Sequence, residues 1–457
     1  MVIPAHIFRE YDIRGLVGTD LTAETMERLG LAAAATFVRE DIREAVVGRD
    51  NRATSDMYAE AVARGLTAGG VSVIDVGVVP TPVFYFAEKA WGKSAGLMIT
   101  ASHNPPQYNG LKVYRGEGTI YGEEILELRD LAAGKLPTPG GGGVTRRDVK
   151  REYVEYVAGN VKLSRPVAFA ADGGNGTAGI VAGDLFAALG AKPIELFMDP
   201  DPNYPNHHPD PTVPKNLAAL KREVLGRGLE LGVAFDGDAD RLGVIDDRGE
   251  ILWGDRLLAL FARDVLRENP GAAVIFEVKC SQSLPEDIIS HGGRPIMWKT
   301  GHSLIKKKMR DEGALLAGEM SGHLFFADRY YGFDDAIYAA CRLIEIVSRD
   351  RRPLGELLAD LPRYESTPEI RIECDDDRKF DVVREARDHF KRRYEVIDID
   401  GARVQFDGGW GLVRASNTQP VLVLRFEATT KERLREIKRE FAGVLSRYID
   451  TAALTEE

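Results

Sequence analysis

The feature that most constrains the fold is an alternation of short β-rich runs with amphipathic helical stretches, which begins near residue 44 and restarts twice. Runs such as "EAVVGRD", "AGLMIT" and "LGVAF" are separated by segments with helical periodicity. This rhythm is typical of βαβ units in parallel or mixed sheets. Three units of similar size predict three related α/β domains with mixed sheets, an internal triplication that repeats in architecture more clearly than in residues.

The sequence pattern changes after the third unit. Strands joined by Gly-containing turns and flanked by helices predict a smaller α+β domain with an antiparallel sheet. The 457 residues also exceed one ordinary core, since domains usually hold roughly 100 to 200 residues. Residues 132–148, rich in Pro and Gly, are interpreted as a linker after the first domain. The predicted domains are residues 1–146, 147–250, 251–361 and 362–457.

Composition excludes several classes of partner. The net charge of −11 opposes non-specific attraction to nucleic acid or anionic lipid. No run reaches the roughly 18 apolar residues that span a bilayer, and the N-terminus meets charged residues too early for a signal peptide. We therefore expect no nucleic-acid partner, no membrane partner and a cytoplasmic location. Cys280, Cys341 and Cys374 are widely spaced without a CxxC pair, which predicts buried free thiols.

The sharpest chemical signal is "DGDADR", in which Asp236, Asp238 and Asp240 alternate with small residues between two apolar runs. Alternation directs three carboxylates to one side of an extended or looped backbone. Three adjacent anions repel unless a cation neutralises them, and an all-oxygen set suits Mg²⁺ better than zinc. An EF-hand is disfavoured because its sixth position would be Arg241 rather than Gly, and its twelfth Asp247 rather than Glu.

Ser102, in "TASHNP", raises a second question of chemistry. It follows the run "AGLMIT", so its hydroxyl is expected at the carboxyl end of a strand, where α/β sheets bind ligands. Taken alone, it is also compatible with a turn or capping serine. A serine hydrolase is disfavoured because the G-x-S-x-G elbow is absent and the adjacent His103 is not expected to turn back as its base.

Two later loops offer groups for a phosphorylated sugar. "GEMSGH" ends an apolar run and alternates acidic, hydroxyl and imidazole side chains, which suit sugar hydroxyls. "RASNTQP" offers compact donors that suit phosphate oxygens. The residues concerned are Glu319, Ser321 and His323 in the first loop, and Arg414, Ser416, Asn417 and Thr418 in the second.

Together with "YDIRG" (11–15) and "DGGNGTAG" (172–179), these stretches resemble, in order and over nearly the whole chain, the α-D-phosphohexomutase superfamily, most closely its phosphomannomutase/phosphoglucomutase branch. The resemblance implies three related α/β domains and a C-terminal domain similar to the TATA-box-binding-protein fold, around a central cleft. It implies that Ser102 carries the transferable phosphate and that the three aspartates bind Mg²⁺ together with a phosphoryl oxygen. Other positions matching the family's active site are Arg14, Lys112, Arg241 and His302, expected to be catalytic, and Tyr11 and Lys279, expected to bind substrate.

The activity implied is the reversible conversion of hexose 1-phosphate and hexose 6-phosphate, of mannose and/or glucose, through a phosphoserine enzyme and a hexose 1,6-bisphosphate, which would also act as activator. Phosphoglucosamine mutase is the alternative, because such enzymes also resemble this chain; they usually have Gln where Met320 stands, so the loop favours mannose and glucose phosphates. A metal-dependent phosphomonoesterase has no evident use for the two sugar-phosphate loops, and a binding-only relative would not need the serine and all three aspartates. We expect sugar phosphates as partners, and a monomer or weak homo-oligomer.

Overall fold

A computed structural model describes residues 3–417 and 419–455, which form four β-sheets that follow one another along the chain. The first three are mixed sheets with helices, and the fourth is antiparallel. The predicted fold class, three related α/β domains followed by an α+β domain, is confirmed.

The first sheet contains the two strands that the Ser102 segment joins. Its strands are β1 (Ile13–Leu16), β2 (Glu44–Arg49), β3 (Ser72–Val78), β4 (Ala95–Ile99), β5 (Tyr108–Arg115), β6 (Gly118–Thr119) and β7 (Val144–Arg146). Its helices are α1 (Ala23–Arg39), α2 (Ser55–Ala68), α3 (Thr81–Ala90) and α4 (Glu123–Ala133). The strand order is β1-β5-β4-β2-β3-β7, with β6 beside β5.

The linker prediction was wrong for β7. Instead of running free, Val144–Arg146 pairs in parallel with β3 and extends the first sheet. The physical reason is that the edge of a sheet presents unpaired N–H and C=O groups, which a polar segment satisfies through its backbone alone.

The second and third sheets follow the same plan with shorter strands. The second domain contains α5 (Lys150–Asn160), β8 (Phe169–Asp172), α6 (Ala182–Ala188), β9 (Ile194–Leu196), α7 (Ala218–Arg227), β10 (Leu231–Phe235), β11 (Leu242–Asp246) and β12 (Ile251–Leu252). The third contains α8 (Gly254–Glu268), β13 (Ala273–Glu277), α9 (Ser283–Ser290), β14 (Arg294–Trp298), α10 (His302–Glu312), β15 (Leu316–Gly318), β16 (Leu324–Phe326) and α11 (Ala336–Arg349). Their strand orders are β12-β11-β10-β8-β9 and β14-β13-β15-β16.

One four-strand pattern recurs in all three sheets. It reads β3-β2-β4-β5 in the first, β9-β8-β10-β11 in the second and β14-β13-β15-β16 in the third. In each case the first three strands in chain order are parallel and the fourth returns antiparallel beside the third. The three α/β domains therefore repeat the same order and direction of four strands.

The fourth domain has a single antiparallel sheet with two long helices packed against it. Its elements are β17 (Glu365–Ser366), β18 (Ile370–Glu373), α12 (Lys379–Phe390), β19 (Glu395–Ile397), β20 (Ala402–Phe406), β21 (Gly409–Ala415), β22 (Val421–Ala428), α13 (Lys431–Leu445) and the short α14 (Ala452–Thr455). The strand order is β17-β22-β21-β20-β19, and β18 also pairs with β22. Phe390, Phe426 and Phe441 lie in its separate core.

A continuous hydrophobic core joins parts of the first three domains, so the loops at their strand ends are held on one scaffold. Cys280 and Cys341 are free and buried as predicted, whereas Cys374 is free but only partly buried. Among the described residues, no helix combines the length and apolar character needed to cross a membrane.

Candidate active site

Three hairpin loops come together, and each joins the third and fourth strands of one four-strand pattern. The loop after β4 carries Ser102, the loop after β10 carries the three aspartates, and the loop after β15 carries "GEMSGH". Hydrogen bonds connect the first loop to the second and the second to the third. Because the parallel strands of a sheet run in one direction, functional loops collect at their carboxyl ends. The repeated topology thus places residues distant in sequence side by side.

Ser102 points directly at the aspartate loop. Its Oγ donates a hydrogen bond to Asp236 Oδ2 at 2.6 Å, and the residue is 2% exposed. The two loops pack so closely that a Cβ on Gly237 would lie 2.5 Å from the Ser102 carbonyl oxygen. Only glycine fits there without a shift of the backbone.

The Ser102 loop has a strained backbone that hydrogen bonds from Arg52 stabilise. Ser102 has a left-handed backbone with φ of 50°, which for a non-glycine residue costs roughly 1–2 kcal/mol. The guanidinium of Arg52 offsets this cost by donating to the carbonyl of Ser102 at 2.8 Å and to those of Pro105 and Tyr108 at 2.8 and 2.9 Å. Arg52 carries no motif signal and was not predicted from the sequence.

The sequence predicted that His103 does not turn back to serve Ser102 as a base; its imidazole does reach the serine, whose own proton is donated to Asp236. His103 Nδ1 lies 3.1 Å from Ser102 Oγ, because the left-handed turn at Ser102 brings neighbouring side chains to the same side. Burial, followed by the charges of Arg241 and Arg14, holds the pKa of His103 well below its ordinary value. The imidazole is therefore neutral near pH 7, and its contact with the serine is a hydrogen bond rather than an ion pair.

The three aspartates form a buried cluster whose oxygens fit a cation. All three are fully buried, and one carboxylate oxygen from each lies within 4.8 Å of the others. Lys112 Nζ donates to Asp240 Oδ2 at 2.6 Å and to Asp238 Oδ2 at 3.2 Å. Asp238 Oδ1 and Asp240 Oδ1 are buried without any hydrogen-bond partner. Buried acceptors without donors are costly, and a hard cation with oxygen ligands would satisfy them.

The charges in this cluster are strongly coupled. Burial, then the negative charges of Asp240 and Asp238, raises the pKa of Asp236 well above its ordinary value. Burial opposes a charged Lys112, but the two carboxylates that it contacts outweigh that effect and raise its pKa. Burial tends to raise the pKa of Asp240, but the positive charge of Lys112 lowers it, and the pKa is below its ordinary value overall. One lysine thus compensates only part of the negative charge.

The "GEMSGH" loop borders the aspartate loop. Ser321 Oγ donates to Glu319 Oε2 at 3.2 Å, and Glu319 Oε1 accepts from the backbone N–H of Gly301 at 2.6 Å. Arg241 Nε donates to His323 Nε2 at 3.0 Å. Of the three side chains predicted from this loop, His323 lies nearest the aspartates, 3.6 Å from Asp240 Oδ1.

His302 lies at the start of α10 in a cluster that includes an unpredicted residue, Asp334. Asp334 Oδ2 is 3.1 Å from His323 Nδ1 and 3.7 Å from His302 Nδ1, and Lys306 donates to Asp334 Oδ1 at 3.0 Å. Both ring nitrogens of His302 are buried without a hydrogen-bond partner. Burial, then the Lys306 charge, holds the pKa of His302 well below its ordinary value. The His302 imidazole is therefore neutral at pH 7.

The "YDIRG" segment contacts both regions. Arg14 Nη1 donates to Asn104 Oδ1 at 2.8 Å, in the Ser102 loop. The ring of Tyr11 meets the ring of His302 edge-on, with 5.1 Å between centroids. Burial first, and then the Asp12 charge, raises the pKa of Tyr11 to about 12. Tyr11 therefore stays a neutral hydrogen-bonding group.

Residues of the third and fourth domains form the remaining part of the site. Lys279 Nζ donates to Glu369 Oε2 at 3.0 Å. Arg414 Nε donates to Asp400 Oδ2 at 3.0 Å, and the same oxygen accepts from the Thr300 backbone N–H at 3.0 Å. Asp400 thus connects Arg414, the residue predicted to bind phosphate, to the loop before α10.

The rest of the predicted phosphate loop is near Arg414 in sequence. Ser416 is buried, and Asn417 is partly exposed. Thr418 lies outside the described residues.

Glu277, at the end of β13, organises the sugar-side loops and was also not predicted. Its carboxylate is fully buried, accepts the Met320 backbone N–H at 2.8 Å, and accepts the Thr300 hydroxyl. Lys279 Nζ lies 3.5 Å from it. One carboxylate therefore holds the Thr300 and Met320 loops at the end of β13, an arrangement that local sequence cannot reveal because these two partners are far from Glu277 along the chain.

Comparison with known proteins agrees with this geometry. The domain families described as phosphoglucomutase/phosphomannomutase alpha/beta/alpha domains I, II and III match residues 5–132, 151–249 and 253–364. The family described as the phosphoglucomutase/phosphomannomutase C-terminal domain matches residues 369–444.

Individual relatives match over almost their entire length. A phosphomannomutase/phosphoglucomutase of Pseudomonas aeruginosa is 47% identical, with 97% of this chain and 96% of the relative covered. A phosphoglucomutase of Neisseria gonorrhoeae is 47% identical, with 97% of both covered. The crystal structure of a phosphoglucomutase/phosphomannomutase family protein from Burkholderia thailandensis is 43% identical, covers 98% of this chain and 99% of its own, and has a TM-score of 0.92.

The four family domains match in order along the chain, and the serine, the three aspartates and the sugar-side loop meet in one place. We conclude that this chain belongs to the phosphoglucomutase/phosphomannomutase family.

Proposed function

We propose that this mutase interconverts hexose 1-phosphate and hexose 6-phosphate, of mannose and/or glucose, through a phosphate carried on Ser102 and a hexose 1,6-bisphosphate intermediate. The observation that carries the proposal is the 2.6 Å hydrogen bond from Ser102 Oγ to Asp236, inside a buried cluster of three carboxylates. A serine in this position can hold a phosphoryl group only if positive charge balances it. Lys112 would supply part of that charge, and a cation held by the three aspartates would supply the rest.

The aspartates Asp236, Asp238 and Asp240 would hold Mg²⁺. When bound there, Mg²⁺ supplies positive charge that stabilises the transferring phosphoryl group. Arg14, which donates to Asn104 of the Ser102 loop, and Arg241, which follows Asp240, would orient the phosphate oxygens through planar, bidentate donors. Catalysis in phosphoryl transfer is mainly positioning and charge stabilisation, which agrees with a site built from fixed ion pairs.

In the first transfer, the sugar's free 6-hydroxyl attacks the phosphorus on Ser102. The new O–P bond forms, the bond to Ser102 Oγ breaks, and the hydroxyl proton passes to a base. Ser102 Oγ takes up a proton as it leaves. In the second transfer, the bisphosphate has turned over, Ser102 Oγ attacks the phosphorus at the 1-position as its proton passes to a base, and the bond from that phosphorus to the sugar's 1-oxygen breaks. The 1-oxygen takes up a proton, and hexose 6-phosphate leaves. Glu319, Ser321 and His323 would bind sugar hydroxyls in both orientations.

His302 is the base that we favour over Lys112. Lys112 is clamped between two carboxylates that raise its pKa, whereas His302 has free ring nitrogens and a pKa well below 6.5. His302→Asn should lower kcat by about 100-fold, since a positioned base contributes about 10²–10⁴-fold, while KM stays within a few-fold.

The pH profile provides the check for His302. Because its pKa is lowered, the neutral base is lost only as the pH falls below 6.5, and the acid limb of kcat should lie below that value. Steady-state rates between pH 5 and 8 test this; an unchanged kcat in His302→Asn would leave Lys112 as the base.

Arg414 would hold the phosphate that does not react. Its guanidinium is buried and already fixed by Asp400, so it is pre-organised to bind an anion. Arg414→Ala should raise KM by about tenfold or more, the loss expected for one hydrogen bond to a charged group, with a smaller change in kcat. Substrate titrations measure this, and a KM equal to that of the unmodified enzyme would contradict the assignment.

The preferred sugar is tested by activity. Mannose 1-phosphate, glucose 1-phosphate and glucosamine 1-phosphate would be compared by kcat/KM, each with its catalytic 1,6-bisphosphate as the proposed activator. A higher value for glucosamine 1-phosphate would favour the alternative, a phosphoglucosamine mutase. Release of inorganic phosphate as the main product would favour a metal-dependent phosphomonoesterase instead.

A further inference from the structure

The groups around His323 determine which of its two ring nitrogens carries the proton. Arg241 Nε donates a hydrogen bond to His323 Nε2 at 3.0 Å. A guanidinium has donors and no acceptor, so Nε2 presents its lone pair to Arg241. With Nε2 unprotonated, the ring carries its proton on Nδ1.

The opposite edge of the ring faces two carboxylates. His323 Nδ1 lies 3.1 Å from Asp334 Oδ2 and 3.6 Å from Asp240 Oδ1. Both oxygens are buried, and neither accepts a hydrogen bond from any other described group. A lone pair on Nδ1 would be repelled by these oxygens, whereas an N–H is attracted to them. Both edges of the ring thus favour the same tautomer, and only Asp334 is close enough for a hydrogen bond.

Asp334 is fixed in place by the elements around it. Its backbone pairs with Phe325 of β16 in an isolated bridge, and the next residue, Asp335, caps the N-terminus of α11. Lys306 Nζ donates to Asp334 Oδ1 at 3.0 Å, which leaves Oδ2 for His323. The carboxylate is therefore held with one oxygen directed at the imidazole.

We propose that Asp334 is a positioning residue of the mutase site, which holds His323 in the Nδ1–H tautomer and so keeps Nε2 as an acceptor for a sugar hydroxyl. The hydrogen bond at one ring nitrogen of a histidine sets the protonation of the other. On binding, the hydroxyl would replace the Arg241 N–H at Nε2 and leave the Arg241 guanidinium to the phosphate. His302 is not held in this way, because its Nδ1 lies 3.7 Å from Asp334 Oδ2. The role in sugar binding rests on the proposed function, whereas the tautomer does not.

Asp334→Asn should reverse the tautomer. The amide has one accepting oxygen and one donating NH₂ group, and hydrogen bonds from charged donors are the stronger ones, so the oxygen turns to Lys306. The NH₂ group then donates to His323 Nδ1, which must present a lone pair, and the proton moves to Nε2. There it opposes the Arg241 N–H and offers the sugar a donor in place of an acceptor. One lost hydrogen bond with an unsatisfied donor should lower kcat/KM for glucose 1-phosphate by about tenfold or more.

The test is NMR spectroscopy of the full-length protein with ¹⁵N-labelled histidine at pH 8, because the resonances of protonated and unprotonated ring nitrogens are well separated. The spectrum of His323→Gln identifies the His323 signals among those of the eight histidines. We expect Nδ1 protonated and Nε2 unprotonated in the unmodified protein, and the reverse in Asp334→Asn. Steady-state rates with glucose 1-phosphate give kcat/KM for the unmodified protein and for Asp334→Asn.

Asp335→Asn is the matched control. Asp335 is the neighbouring buried aspartate, but it accepts from the hydroxyls of Tyr153 and Tyr330. It makes no hydrogen bond or ion pair to a histidine in the part of the chain that the structure describes. Its replacement should keep the His323 tautomer and should change kcat/KM by no more than a few-fold.

The spectra and the rates can each overturn the proposal. A proton on His323 Nε2 of the unmodified protein would do so, and this measurement remains decisive if Asp334→Asn fails to fold. Retention of the Nδ1–H tautomer in Asp334→Asn, or of the normal kcat/KM, would also overturn it. Absence of mutase activity from the unmodified protein would instead contradict the proposed function, and the spectra would still decide the tautomer.

Discussion

Ser102→Ala is expected to lower turnover by about 10³-fold or more, because it removes the only atom proposed to carry the phosphate between the two transfers. Ser102 Oγ has two close partners, Asp236 Oδ2 and His103 Nδ1. Both partners remain in the variant, and the Ser102 carbonyl still accepts from Arg52. The loop should therefore keep its shape, and sugar-phosphate affinity should change by no more than a few-fold.

Two measurements separate the carrier role from simple damage to the loop. Incubation with glucose 1,6-bisphosphate, followed by intact-mass spectrometry, should show one added phosphoryl group on the unmodified protein and none on Ser102→Ala. Ser321→Ala is the matched control, since this serine is in the sugar loop and should still leave Ser102 phosphorylated. Turnover of Ser102→Ala at the normal rate would rule out a phosphate relay at this position.

Asp238→Asn is expected to produce the second large effect, a loss of Mg²⁺ affinity of about 100-fold or more together with most activity. Loss of even a supporting group around a metal costs about 10–100-fold, and Asp238 is proposed as a direct ligand. Its Oδ1 has no partner in the buried cluster, while its Oδ2 accepts from Thr81 at 2.6 Å. The amide of Asn can still accept from Thr81, so local structure should persist while one negative charge is lost.

Titration of activity against Mg²⁺ checks this prediction, with thermal unfolding of metal-free protein as the folding control. Removal of one of three crowded anions also reduces the repulsion that raises the pKa of Asp236, so metal-free Asp238→Asn should unfold at a temperature no lower than the unmodified protein. Asp130→Asn, at an exposed position, is the substitution control. An identical Mg²⁺ midpoint in Asp238→Asn would exclude this carboxylate from the metal site.

The parts of the site that could be predicted are those whose signal is local. Asp236, Asp238 and Asp240 stand within five consecutive residues between two apolar strands, so their proximity follows from the chain itself. Ser102 was predictable as a residue at a strand end because an apolar run precedes it. Local sequence did not predict that the His103 side chain lies beside Ser102, since the left-handed backbone at Ser102 is set by the tertiary contacts of the loop.

The residues that escaped prediction act over long separations. Asp334, Glu277 and Arg52 each contact groups that other elements bring to them. Each is an ordinary charged residue in its own stretch of sequence, and charged residues are common on protein surfaces. Their roles become visible only through burial and hydrogen bonding.

The sequence alone was sufficient for the order of domains, the classes of fold and the identity of the main motifs, because periodicity, turn residues and clustered carboxylates are properties of neighbouring residues. Tertiary structure decided which motifs meet. The same four-strand pattern occurs in three sheets, and the hairpin loop between its third and fourth strands carries the serine, the aspartates or the sugar-side residues in turn. Packing of those sheets on a shared core brings the loops together, and that packing energy depends on contacts between distant residues, which no single stretch of sequence encodes.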